Sequence, residues 1–244
     1  MSTLHWNLFS LDNLPADLVD FIQSASDPID LLNKLPLFLK SKLYGQTIEG
    51  TVETGAVLHG DVFVGKGSTV HSGVVIEGPV YIGQNVSVRP HANIRHGAYL
   101  SDNCVIGHGA DVKNALALPG AKIQDGTFAG DSILGHGARV GSGAILANRK
   151  FNQTNIKISL DGETVTDTGR DFFGALLGDQ SRLGANVITS PGTVIGTHTW
   201  VGSGAVLHGY HGPDQLITVK QELTITPKDR TNLKAGKAIT FDYL

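Results

Sequence analysis

VETGAVLHGDVFVGKGSTVHSGVVIEG, residues 52–78, places an aliphatic side chain at every sixth position: Val52, Leu58, Val64, Val70 and Ile76. The series continues without a gap through Ile82, Val88, Ile94, Leu100, Ile106, Val112 and Leu118. Two residues ahead of these runs a smaller set: Ala56, Val62, Ser68, Val74, Val80, Val86, Ala92, Ala98, Cys104, Ala110 and Leu116. A spacing of two puts both members on one face of a strand. Three residues after the aliphatics come turn-formers that tolerate positive φ, among them Gly55, Asp61, Gly67, Gly73, Asn85, Gly97, Asn103 and Gly109. Each six-residue unit therefore reads as a very short strand followed by a corner. The phase returns at Leu134, Val140 and Leu146, and again at Leu177, Leu183, Thr189, Ile195, Val201 and Leu207. The expected fold is all-β: a parallel β-helix whose three sides make an 18-residue coil, with strands about 4.8 Å apart from coil to coil. A β-sandwich would need longer strands joined by polar hairpin turns. Spacing leaves the handedness open, and parallel crossovers are generally right-handed.

Two ends and one insertion interrupt the solenoid. Residues 1–45 carry two helical patterns, one from Asn13 through Phe21 and one from Asp27-Pro28 to Pro36. They read as a cap over the open edge of the first coil. The solenoid is expected over 46–210. Residues 149–176 abandon the period, and NIKISLDGETV alternates around Asp161-Gly162 as a β-hairpin does. Residues 211–244 read as a tail with one strand and a closing cap. In IQDGTFAGDSILG, Ile123–Gly135, the step from Ala129 to Leu134 is five residues, and a shift from Leu118 to Ala117 as the in-phase residue removes one more. Such a slip re-aims neighbouring side chains, as bulges do, so a site near Asp125 is expected.

Composition sets the outer bounds. The net charge of −3 gives no general attraction to nucleic acid or to a membrane surface. The single Cys104 excludes an internal disulfide framework and fits a reducing compartment. The start MSTLHWNLFS has no basic segment leading into an apolar run, and no apolar stretch has the length of a membrane span. A cytoplasmic protein is the expectation.

Three segments carry a resemblance: IRHGAYLSDNCVIGHGADVKNA, FAGDSILGHGARVGSGAILANRKFN and DTGRDFFGALLGDQSRLGANVITSPGTVIG. The block from Val88 to Gly209 resembles the left-handed β-helix, or hexapeptide-repeat, domain at the C-terminus of sugar-1-phosphate nucleotidylyltransferases. That group includes the acetyltransferase half of bifunctional N-acetylglucosamine-1-phosphate uridylyltransferases. The resemblance implies a left-handed solenoid, a homotrimer with sites in the clefts between subunits, and acetyl-CoA as acyl donor to an amino-sugar phosphate or nucleotide-linked amino sugar. Transfer would be direct, with a general base and no metal. By position, the phosphate-binding Arg falls on Arg95, the substrate-binding Lys on Lys113, the substrate-contacting Tyr on Phe128, and an Asn near the acetyl donor on Asn148. The family's catalytic His falls on Asp125. Its Gly-rich nucleotidyl-binding domain has no counterpart before Gly45, so nucleotidyl transfer is not expected.

The register adds an expectation of its own. Arg95 and Lys113 each follow an in-phase aliphatic by one and lie 18 residues apart, so they should stack on adjacent coils, pointing outward. Two such cations repel unless they share an anion or are paired with carboxylates such as Asp111. Asn114, Asp131 and Asn148 should occupy equivalent corners. Ile106, Ile123 and Val140 then stack, which sets His108 beside Asp125. An imidazole oriented by a carboxylate suits proton abstraction from an amine better than a lone Asp does. His108 is therefore the candidate base and Asp125 its orienter.

Two other functions compete. Loss of the usual His favours a non-catalytic trimer that binds a sugar nucleotide or regulates a separate nucleotidyltransferase. His91 and His96 have the His-x4-His spacing of a metal hydratase built on a similar solenoid, but the third ligand position is Gly55. Neither nucleic acid nor membrane is an expected partner.

Overall fold

A computed structural model of the chain describes residues 8–227. The hexapeptide reading holds. Three parallel sheets wind about one axis: nine strands from Gln46–Ile48 to Tyr210–His211, nine from Thr51–Val52 to Leu216–Ile217, and eight from Val57–His59 to Val206–Leu207. These are called the first, second and third sheets below. The architecture is the parallel left-handed β-helix of hexapeptide-repeat proteins. Its interior is one continuous column in which Val64, Ile82, Leu100, Val70, Val88, Ile106, Ile76, Ile94 and Val112 are fully buried. The smaller set fills the remaining inward positions as far as Ala110; past the shortened step Ala115 takes the inward place expected of Leu116, which faces outward beside Tyr99. Ser68 is tolerated at its inward position because its hydroxyl donates to the Gly83 carbonyl (2.6 Å) and accepts the Val86 N–H (2.8 Å).

The early coils step by 18, as in Val64↔Ile82 and Ile82↔Leu100. The next two step by 17, Leu100↔Ala117 and Ala117↔Leu134. The missing residue is lost at one corner, the turn from the third sheet to the first. The His96-Gly97 pair there, both at positive φ, gives way to Asn114 alone (φ 45°) and then Asp131 alone (φ 49°). Short polar side chains are the non-glycine types that enter this region at least cost. Asp125 lies six residues upstream, in a regular corner between the second and third sheets, so the slip belongs to Asp131. At the same turn of the next coil the chain leaves the solenoid altogether, and Leu134 pairs next with Leu177. The excursion contains the expected hairpin, Lys157–Ser159 against Val165–Asp167. Its turn is held by Asp161, whose carboxylate accepts the Glu163 and Thr164 N–H groups and is lowered to about 2 by those bonds.

The N-terminal helices α1 (Ala16–Gln23) and α2 (Pro28–Lys42) form where expected, with two differences. α2 runs through Pro36 instead of ending there, because Leu35 and Leu39 on either side of it are both completely buried. The pair also lies along the outer face of the first sheet, not across the end of the first coil. A file of rings on that face, Phe63, Tyr81 and Tyr99, stacks at 4.9 and 4.4 Å and continues through Phe38 to Phe21. Ile156 and Ile158 of the insertion cover the same face further along. One apolar sheet face thus explains both additions: it has to be covered, and burying each such side chain stabilises by about 1.5–3 kcal/mol. Of the C-terminal tail, Leu216–Ile217 adds a last strand, and residues 228–244 lie outside the described residues. No helix among the described residues is long and apolar enough to cross a membrane.

Candidate functional site

The shortened corner organises a polar cluster around Asp131, whose side chain is only 3% exposed. One carboxylate oxygen accepts from Asn114 Nδ2 (2.8 Å) and Arg170 Nη2 (3.0 Å). The other accepts from Asn148 Nδ2 (2.7 Å) and Lys113 Nζ (3.4 Å). Asn114, Asp131 and Asn148 therefore do occupy equivalent corners, and they are bonded to one another. Lys113 and Asn114 come from the coil before that of Asp131, and Asn148 from the coil after it. The fourth, Arg170, comes from the insertion as it returns. Its guanidinium also donates to the Phe172 carbonyl (2.9 Å) and to Asn33 of α2 (2.7 Å), which ties insertion, helix and coil together. Gly174 then re-enters the solenoid so closely that a Cβ there would collide with the Gly130 carbonyl and the Ser132 hydroxyl.

Arg95 and Lys113 are direct register partners on adjacent strands, both outward, as the spacing predicts. Neither is bare. Arg95 makes a two-pronged contact with Asp111, at 3.2 and 3.0 Å. Lys113 reaches Asp131 and lies 4.3 Å from the centre of the Phe172 ring, with Arg149 on the same ring at 4.7 Å. Arg149 also stands 3.9 Å from Asp171. Four cations (Arg95, Lys113, Arg149, Arg170) thus face three carboxylates (Asp111, Asp131, Asp171), and Glu77, the register partner of Arg95 on the preceding strand, stands beside them as a fourth. Of the register pair, Lys113 has the longer and weaker carboxylate contact, so it is the better placed of the two to accept an incoming anion. Phe128 folds over Gly130 beside this cluster, with Asn148 next to it.

His108 and Asp125 are neighbours one coil apart, since Ile106 pairs with Ile123. The bond between them differs from the expected one. Asp125 accepts the backbone N–H of His108 (2.9 Å), and its other close partner is Arg89 at 3.4 Å. The His108 imidazole meets the edge of the His91 ring, 5.5 Å between centres. The carboxylate orients the corner and not the imidazole, because a corner residue directs its amide toward the coil beneath it. His108 also sits at the entrance to strand Asp111–Lys113, and Lys113 at its exit. Five residues of strand span up to roughly 16 Å. One chain by itself therefore does not bring the candidate base onto the candidate anion site.

His136, in the neighbouring corner, has its ring at hydrogen-bonding distance from the Ser10 carbonyl (3.0 Å), and its amide bonds Asp179. Burial raises the Asp179 carboxyl even though it accepts the Ser10 and His136 N–H groups. Cys104 is enclosed in the column, and burial pushes its thiol up to about 12. No three potential metal-ligating side chains come together among the described residues. The sequence reading missed Arg149, Arg170 and Phe172 as members of the cluster, and it set Asp131 in the corner file without its role as the shared acceptor. The order DTGRDFF at the return of the insertion was the available signal, but nothing in the repeat says which coil it meets.

Comparison with known proteins agrees with the resemblance. Residues 76–168 match the model of the GMPPB C-terminal domain. The chain is 33% identical over 160 residues to the bifunctional protein GlmU of Methanocaldococcus jannaschii, covering 66% of this chain and 39% of that one. It is 29% identical over 202 residues to the same-named protein of Methanococcus vannielii, covering 83% and 48%. The chain thus spans less than half the length of these relatives. Among solved structures, the UDP-N-acetylglucosamine acyltransferase of Francisella novicida aligns over 66% of this chain and 60% of its own, at 15% identity and a TM-score of 0.42. The solenoid is accordingly similar to the hexapeptide-repeat acyltransferase domain of sugar-1-phosphate nucleotidylyltransferases.

Proposed function

We propose that the chain is an acyltransferase that moves the acyl group of an acyl-CoA, acetyl-CoA first, onto the amine of an amino-sugar phosphate or nucleotide-linked amino sugar. The observation that carries this reading is Lys113, held outward by Asp131 and Phe172 beside the Arg95–Asp111 pair, with Arg149 on the same ring. That arrangement suits a phosphate monoester or diphosphate on a sugar. Direct transfer needs two further things: a base for the ammonium proton as the amine attacks the thioester carbonyl, and donors for the oxyanion that forms. His108 is the proposed base, its backbone fixed by Asp125. Phe128 would border the sugar, and Asn148 the acyl donor.

His108 and Lys113 lie at opposite edges of one sheet, so the acceptor would bridge them only if a second copy supplies one of the two. The outer face of the third sheet favours that arrangement. Phe128, Ile145, Ile188 and Val206 stand in register along it, the last three substantially exposed. A homotrimer that packs this face would set Lys113 of one copy against His108 of the next.

The test is a thiol-release assay with acetyl-CoA and longer acyl-CoAs against a panel of amino-sugar phosphates and nucleotide-linked amino sugars. Turnover lost in Lys113→Met supports the reading. Absence of turnover, together with binding of a sugar nucleotide, would favour the alternative of a non-catalytic, sugar-nucleotide-binding or regulatory trimer.

A further inference from the structure

The outer face of the second sheet carries a feature that the acyl-transfer reading does not use. Lys122, Arg139, Arg182 and Trp200 are consecutive register partners on four stacked strands: Lys122↔Arg139, Arg139↔Arg182, Arg182↔Trp200. Three cations in a row, at the roughly 4.8 Å spacing of stacked strands, repel one another. The Asp131 cluster meets the same problem with carboxylates. Here no carboxylate pairs with Lys122, Arg139 or Arg182 among the described residues. The one contact of this kind is Arg182 over the Trp200 ring, at 5.1 Å. Trp200 remains 51% exposed, so part of the indole stays open for stacking. Arg139, Arg182 and Trp200 line a shallow cleft of roughly 460 Å³ together with Leu216 and the corner residues Ser142 and Ala185, and Lys122 stands one strand beyond it.

We propose that this cleft binds a nucleoside diphosphate, with the diphosphate across Arg139 and Arg182 and the base against Trp200. A diphosphate offers closely spaced negative oxygens to both arginine forks, which is the geometry guanidinium groups match best. A flat base adjoining it uses the aromatic ring and the apolar Leu216 at the end of the row. An inorganic anion alone would leave Trp200 unused, and an uncharged base would leave the cationic row unrelieved. The nucleoside diphosphate can be a free nucleotide, the adenosine end of coenzyme A, or the nucleotide of a sugar nucleotide. The site lies on a different sheet from Lys113 and stands whether or not the chain catalyses acyl transfer.

Isothermal titration of the full chain with ADP, coenzyme A, UDP, adenosine and pyrophosphate tests the proposal. ADP is expected to bind at least tenfold more tightly than adenosine or pyrophosphate, with affinity falling as salt is raised. The relative strengths of ADP, coenzyme A and UDP identify the source of the nucleotide. Arg139→Gln and Arg182→Gln, both exposed and outside the core, should each weaken ADP about tenfold or more. Trp200→Leu should weaken ADP while leaving pyrophosphate unchanged. Lys113→Met should leave ADP binding intact. The proposal is overturned if no ADP binding is found at millimolar concentration, if the Arg139→Gln/Arg182→Gln double variant binds ADP as the parent does, or if Lys113→Met abolishes it.

Discussion

Asp131→Asn is the substitution on which the account of the shortened corner stands. The carboxylate is nearly fully enclosed and serves Asn114, Asn148, Lys113 and Arg170 at once. An amide of the same shape keeps one acceptor oxygen but turns an NH2 group toward donors that have no use for it. It also leaves Lys113 and Arg170 without their counter-charge. Breaking a fully buried ion pair from one side costs about 3–5 kcal/mol. Here the Lys113 and Arg170 side chains keep 21% and 19% exposure, so water compensates in part and the low end applies, about 3 kcal/mol. For a chain of this size that corresponds to a loss of about 6–12 °C in Tm. Thermal unfolding followed by circular dichroism measures it directly. Combining Lys113→Met with Asp131→Asn removes one stranded charge and should recover about 1 kcal/mol, a coupling that a simple packing defect would not give. Ligand binding should move the opposite way, because Asp131 competes with any phosphate for Lys113: Asp131→Asn is expected to bind inorganic phosphate more tightly than the parent. A Tm within about 2 °C of the parent, or no recovery in the double variant, would refute the claim that this carboxylate holds the corner.

Three other outcomes follow from the geometry. If His108 is the base, His108→Ala should lower acyl-transfer turnover by about a hundredfold. Asp125→Asn should cost much less, because the carboxylate holds the backbone of His108 and not its imidazole; equal losses in a turnover assay would contradict this. Placing a charge on the exposed apolar file with Ile188→Asp should shift light-scattering mass toward the monomer while the unfolding curve stays cooperative, and an unchanged mass would remove this face as the subunit contact. His211 is lowered below its ordinary value by burial, so its stabilising contribution is present above about pH 6.5 and is lost as pH falls through its depressed folded value. Hydrogen-exchange protection factors over the last coil, residues 193–217, corrected for the intrinsic pH dependence of amide exchange, should therefore fall on acidification below about pH 6.5, and His211→Asn should remove that dependence.

Much of this molecule was legible in the linear order of its residues. A period of six admits few folds, because each inward side chain is followed by a corner that needs a particular backbone conformation. The column of Val64, Ile82 and Leu100, the outward pairing of Arg95 with Lys113, and the Asn114–Asp131–Asn148 corner file all follow from counting. So does the adjacency of His108 and Asp125. Counting fails where a side chain has more than one neighbour to choose from. It set Asp125 beside His108 but not against its backbone amide, and it could not say that α2 would run through Pro36 to cover Tyr99. Arg170 lies 39 residues from Asp131 along the chain, and Arg182 lies 43 residues from Arg139, each pair separated by the insertion. Their meeting depends on how that excursion returns to the coil. The repeat dictates local conformation and the stacking of successive turns, since those are set by short-range sterics and by burial in one column. The partners of the outward charges are decided by folding of the whole chain, because any of several carboxylates could neutralise them and only the tertiary path selects which one arrives.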